Sequence, residues 1–225
     1  MQLESLPPEV LDEVVSFIPR SADVARLGLT NQSMHSLVQP HLFRHISIFL
    51  SSVPLLARAL EANPAAAGMC RTLQLLAPLG EDDEEPDDDE LTDALVFLFS
   101  SFAKRGNLLA VRWYSYSTPD HGFREPVWEG ISQNHKSLRV LEMCAMAGEE
   151  QEDWLAVTRP FYPNLRVLRI SLPQAHNWPC GELQNMLTSN CPMLEELALK
   201  MPPCCGPVGL DLSQATPILT SEHSK

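Results

Sequence analysis

Leu165-Arg166-Val167-Leu168-Arg169-Ile170 is one of three near-copies of the pattern L-x-x-L-x-L; the others are Leu138–Met143 and Leu194–Leu199. Weaker copies, with other apolar residues at the Leu positions, begin at Phe43, Cys70 and Leu108. The starts at 43, 70, 108, 138, 165 and 194 are separated by 27, 38, 30, 27 and 29 residues. The long interval contains the acidic run 81–90, EDDEEPDDDE, and subtracting its ten residues restores 28. A fixed period of this size is the mark of a stacked repeat, in which each unit buries its apolar face only against its neighbours.

Each interval also carries an apolar helical face. Leu55, Leu56, Ala59 and Leu60 form one, and Leu95, Leu98, Phe99 and Phe102 form the next at i, i+3, i+4, i+7. Val127, Trp128 and Ile131, then Trp154, Leu155 and Val157, then Leu183, Met186 and Leu187 continue the series. Helix followed by short strand, repeated, predicts an α/β solenoid with parallel strands inside and helices outside. On its strands the Leu positions point inward, so the fifth positions Gln74, Arg112, Glu142, Arg169 and Ala198 face an open groove. The seventh positions Leu76, Tyr114, Cys144, Ser171 and Lys200 flank them. Arg112, Tyr114, Glu142, Arg169 and Lys200 are therefore the expected client-binding residues. The same charges could equally satisfy one another and water.

The first forty-six residues have a different rhythm. Pro7 and Pro8 suit the first turn of a helix, where no hydrogen bond is lost. Val10, Leu11, Val14, Val15 and Ile18 follow as one broad apolar stripe, and Pro19 stops it. Ser21 is expected to cap a second helix with Asp23 in its first turn, and Pro40 to end a third. Three short helices make a core too small to stand alone.

The stretch from Leu6 to Ile46 resembles an F-box at Leu6, Pro7, Glu9, Val10, Leu11, Val14, Val15, Phe17, Ile18, Asp23, Val24, Leu27, Leu37, Pro40, Leu42, Phe43 and Ile46. Met34 stands where that family often carries Trp. Asn190-Cys191-Pro192-Met193-Leu194 resembles the cysteine-containing turn of leucine-rich repeats, and the whole is similar to the F-box/leucine-rich-repeat family, fungal-like. The resemblance implies an F-box over 1–46 and degenerate repeats over 47–200, while like-charge repulsion predicts an acidic loop at 80–90 and the prolines at 202, 203, 207 and 217 predict a disordered or poorly packed tail over 201–225. It further implies a substrate-receptor subunit of a Skp–cullin–F-box ubiquitin ligase, docking a Skp-type adaptor through Leu6, Pro7, Glu9, Val10, Leu11, Val14, Ile18 and Leu27. The repeats would then hold a protein client. The alternative is a leucine-rich scaffold that binds the adaptor without directing degradation.

Composition agrees with a binding protein. The formal charge is −13, of which nine carboxylates lie in 81–90, leaving −4 elsewhere. No dense Lys/Arg run appears, so nucleic acid is not an expected partner. The longest apolar run, Ala94–Phe99, is too short to span a bilayer. MQLESLPPEV is unlike a secretory signal, so reduced cysteines and a cytoplasmic or nuclear location are expected. No catalytic or phosphate-binding motif is present, and no enzyme activity or cofactor is expected. His176, Cys180 and Cys191 are uneven in spacing, with Cys191 read as a packing residue, so no metal site is expected.

Overall fold

The computed structural model describes residues 6–76, 88–115, 125–145, 158–171 and 180–200. It is a mixed α/β structure with one six-stranded parallel sheet. The strands are β1 (His45–Phe49), β2 (Thr72–Leu76), β3 (Ala110–Ser115), β4 (Val140–Ala145), β5 (Val167–Ser171) and β6 (Glu196–Lys200), paired in chain order. Each begins at the third residue of its L-x-x-L-x-L copy. Because every crossover advances one strand in the same direction, and parallel crossovers are right-handed, the connections gather on one face.

That face is the core. Leu73, Leu75, Val111, Trp113, Leu141, Met143, Leu168 and Ile170 pack in one cluster with Leu60, Phe99, Phe102, Ile131 and Leu187. These helical residues come from α4 (Val53–Ala62), α6 (Asp88–Arg105), α7 (Glu125–Ser132) and the π-helical turn Met186–Asn190 that follows α8 (Cys180–Asn185). A four-residue helix, α5 (Pro64–Ala67), fills the step before β2. In α4 the inward face is Val53, Pro54, Ala57 and Leu60, whereas Leu55 is exposed and Leu56 only half-buried. The expected face was displaced because small residues, Ala57 and Pro54, fill space that pattern reading gives to leucines. Trp154, Leu155 and Val157 lie outside the described residues.

Asparagines tie successive turns together. Asn107 donates to the Gly68 carbonyl at 2.6 Å, Asn134 to Phe99 and Gly130 at 3.1 Å each, and Asn190 to Thr158 at 3.0 Å. Asn134 is buried and its two bonds lie inside the core, whereas those of Asn107 and Asn190 are part-buried. Gly106 closes α6 with φ +64°, a conformation that costs glycine nothing, and its N–H bonds back to Phe102.

The acidic run is not entirely a loop. Asp88, Asp89 and Glu90 form the first turn of α6, where carboxylates favour the helix dipole, and Glu90 accepts from Arg58 at 2.9 Å. The remainder, 80–87, lies outside the described residues, as does 201–225.

Ahead of the sheet stand α1 (Pro8–Ser16), α2 (Ser21–Gly28) and α3 (Gln32–Arg44). Ser21 is the first residue of α2 rather than its cap; extended Arg20 precedes it and no side-chain cap forms. Asn31 caps α3 instead, accepting from the Met34 N–H at 2.8 Å. Nor does Pro40 end α3. The helix runs four residues further, because Pro40 is exposed and Val38, Leu42 and Phe43 anchor both sides of it. α3 packs against α1 and α2, and His41 Nε2 lies 2.7 Å from Asp12 Oδ1. A Cβ on Gly28 would stand 2.6 Å from a Val38 methyl, so α2 and α3 cross too closely for any larger residue. β1 begins at His45, immediately after Arg44, so the expected boundary at 46 falls inside a strand and no linker separates the helices from the sheet.

Candidate functional site

Two surfaces bring together the residues singled out in the sequence: one side of α1, and the sheet face opposite the core.

On α1 the broad stripe divides in two. Leu11 and Val15 turn inward; Val15 forms a small core with Val24 and Val38, against which Ile18, Leu27, Leu37 and Leu42 pack. Val10 and Val14 turn outward, each 41% exposed, followed by Phe17 at 77%. Positions 10, 14 and 17 recur at i, i+4, i+7 and so share one helix face. Leu29, at the end of α2, is 83% exposed. Of the expected adaptor residues, Pro7, Glu9, Val10 and Val14 are thus exposed and Leu6 is half-buried. Leu11, Ile18 and Leu27 belong instead to the internal packing of the three helices. Phe17 and Leu29, the most exposed large apolar side chains of the helices, were not among the expected adaptor residues. Phe17 could have been found from its spacing to Val10 and Val14, whereas Leu29 carries no pattern.

On the sheet, the register places Ser47, Gln74, Arg112, Glu142, Arg169 and Ala198 in one row. Phe49, Leu76, Tyr114, Cys144, Ser171 and Lys200 form the next row. Neighbouring strands lie about 4.8 Å apart, so the charges of the first row meet. Glu142, only 16% exposed, faces Arg112 Nε and Arg169 NH1, each at 3.4 Å. Arg169 also reaches Glu196, its Nε at 2.8 Å and its NH2 at 2.7 Å. Arg169 is held further above its ordinary pKa, first by the hydrogen bond to Glu196 and then by Glu142. The charges of the ladder pair along the row, although the buried Arg112 Nε makes no hydrogen bond among the described residues, so neither Arg112 nor Arg169 stands as an unpaired charge.

Compared with known proteins, the chain matches no family model, and no curated protein matches it.

The second row is different in character. Phe49 is 52% exposed, and Leu76, Tyr114 and Cys144 are half-buried. An apolar and aromatic strip therefore runs across four strands beside a neutralised polar one. Phe49 was not read into this row because its strand carries a weak copy of the repeat. Of the expected client residues, Arg112, Glu142 and Arg169 share the first row; Tyr114 and Lys200 hold positions in the second, the Lys200 side chain lying outside the described set.

The cysteines carry no reactive chemistry in the core. Burial pushes the thiols of Cys70 and Cys191 up to about 12, and Cys70 Sγ donates to the Thr72 carbonyl at 3.6 Å. Tyr162, fully buried, is raised as well, mainly by burial, and its ring meets His135 edge-on at 6.3 Å. Cys180 lies where its side chain is not described, and His176 lies outside the described residues. Among the described residues no three His, Cys, Asp or Glu side chains converge as a metal site, and no helix is long and apolar enough to cross a membrane.

Proposed function

We propose that the chain is a substrate-receptor subunit of a Skp–cullin–F-box type ubiquitin ligase, an F-box joined to a short leucine-rich-repeat solenoid. The observation that carries this reading is the outward face of α1, Val10, Val14 and Phe17, on a helical unit whose buried apolar side chains are Leu11, Val15, Val24, Met34 and Val38. Fully covering Phe17 on a partner is worth about 1.5–3 kcal/mol, and covering Val10 and Val14, each 41% exposed, adds less. A Skp-type adaptor is the partner that the F-box resemblance implies. A protein client then lies along Phe49, Leu76 and Tyr114, beside the paired Arg112–Glu142–Arg169–Glu196 ladder. The mechanism is positional: the receptor raises the effective concentration of a target lysine near the ubiquitin-charged partner.

The test is capture of a recombinant Skp-type adaptor by the full chain. The double variant V14D/F17D is expected to abolish capture with no change in melting temperature, since both side chains are exposed. Failure of the unaltered chain to capture adaptor, or full capture by the double variant, refutes the reading. Adaptor capture with no client ubiquitylated when the complete ligase is reconstituted supports the non-degradative scaffold instead.

A further inference from the structure

The turns leading into the strands carry a charge that the linear sequence conceals. Backbone hydrogen bonds extend the parallel pairing one residue before each strand. Arg71 N–H donates to Arg44 at 2.9 Å, Arg139 to Leu109 at 2.7 Å, Arg166 to Arg139 at 2.8 Å and Glu195 to Arg166 at 2.8 Å, while Leu109 N–H donates to Arg71 at 2.8 Å. Arg44, Arg71, Leu109, Arg139, Arg166 and Glu195 therefore form a single row along the leading rim of the sheet. Four of the six backbone positions in this row are arginines, and from Arg44 to Arg166 the row spans about 19 Å, at about 4.8 Å per strand.

The last turn of α6 adds Lys104 and Arg105, and the segments before β4 and β5 add Lys136 and Arg159. Segments 40–44, 63–71, 103–109, 132–139, 158–166 and 190–195 thus hold eight of the sixteen Lys and Arg residues. Of the twenty-nine Asp and Glu residues they hold one, Glu195. In a chain of net charge −13 this is a strong separation of sign. No dense basic run is visible in sequence because its members recur once per repeat, and only stacking gathers them.

Part of the rim is used internally: Arg71 donates to the Asn107 carbonyl at 3.2 Å, and Arg166 pairs with Glu195 at 2.8 Å. Arg44 and Arg139 are exposed and have no carboxylate partner among the described residues. We propose that this rim docks an extended, carboxylate-rich segment of a partner protein. About six residues of extended chain cover the row, and Arg166 with Glu195 already displays the guanidinium–carboxylate pairing that such a segment would repeat. A nucleic acid fits less well. Its broad polyanionic surface would come within a Debye length of the chain's acidic remainder, whereas a single peptide strand needs only the rim. The proposal is independent of the ligase reading, because it uses charged rather than apolar contacts and other residues.

The experiment is fluorescence anisotropy of a labelled deca-glutamate peptide against the full chain at low salt, with a labelled RNA oligonucleotide in a parallel arm. Deca-glutamate is expected to bind, and R44E/R139E to weaken it by about tenfold or more. The milder R44Q/R139Q, which removes charge without reversing it, is expected to give a smaller loss with the fold intact. R26E, a cation away from the rim, and V14D/F17D are both expected to bind the peptide as the unaltered chain does, which separates this surface from the α1 face. No binding by the unaltered chain, unchanged binding by R44E/R139E, or tighter binding of RNA than of deca-glutamate overturns the proposal.

Discussion

Residues 8–44 and residues 45–200 handle apolar surface in opposite ways. The sheet region folds each connection back onto the preceding strands, so Leu73, Phe99, Leu141 and Leu168 lose contact with water altogether. The three helices bury Val15, Val24 and Val38 but leave Phe17 and Leu29 more than three-quarters exposed. Stacking lets each new unit complete the burial of the last, whereas three short helices have no further layer to add. Stability is therefore concentrated in the sheet region, which still exposes Phe49, Leu55 and Phe161, while the two most exposed large apolar side chains, Phe17 and Leu29, belong to the helices.

The largest test of that division is Phe99→Ala. Phe99 is fully buried between α6 and α7, close enough that a Cβ on Gly130 would touch it at 3.1 Å. Truncation should cost about 3–5 kcal/mol in urea unfolding and raise hydrogen exchange throughout the sheet. Met34→Ala, at a buried position of α3, should cost about 2–5 kcal/mol, but with faster exchange confined to α1–α3. Equal loss of protection in β3–β5 would show that the two regions unfold as one.

Asn134→Ala tests whether the turns are cross-linked rather than merely stacked. It leaves the Phe99 carbonyl without its amide donor, at about 1–3 kcal/mol. Glu142→Gln removes the charge between Arg112 and Arg169 and should cost less than about 1 kcal/mol, with the loss shrinking as salt is added. A loss several times larger would mean that the ladder holds the sheet together.

The smallest effect is at the junction of the two regions. Burial, then the charges of Arg44 and Arg112, hold the His45 pKa below its ordinary 6.5. The unfolded chain therefore takes up a proton at higher pH than the folded chain does. Above pH 6.5 both forms are neutral and His45 contributes nothing to the pH dependence. As pH falls from 6.5 through the lower folded value, stability is lost. His45→Gln should flatten that segment of the stability–pH curve, and proton NMR of His45 should give a midpoint below 6.5.

Much of the sheet was legible because L-x-x-L-x-L encodes both period and orientation; the third residue of each copy starts a strand, and the rows Arg112–Glu142–Arg169 and Tyr114–Cys144 follow from register. What escaped reading depended on facts that periodicity does not carry. Whether Val10 or Leu11 faces inward depends on where α3 lies. Whether Pro40 breaks a helix depends on the anchors around it. Phe49 belongs to a strip only because β1 pairs with β2, and Arg44 meets Arg71 only through a crossover of 27 residues.

The direct passage from Arg44 to His45 makes the molecule a bracket. A partner gripping α1–α3 fixes the direction in which the sheet points, because no loop is available to absorb rotation. Strand β6 lies five spacings from β1, about 24 Å away, so a 10° tilt at that joint swings the far strand by about 4 Å. The one weak point in the arm is Pro40, where the helix lacks a backbone hydrogen bond. Small changes of helix bend at that residue are thereby converted into large changes in where the outer strands are aimed.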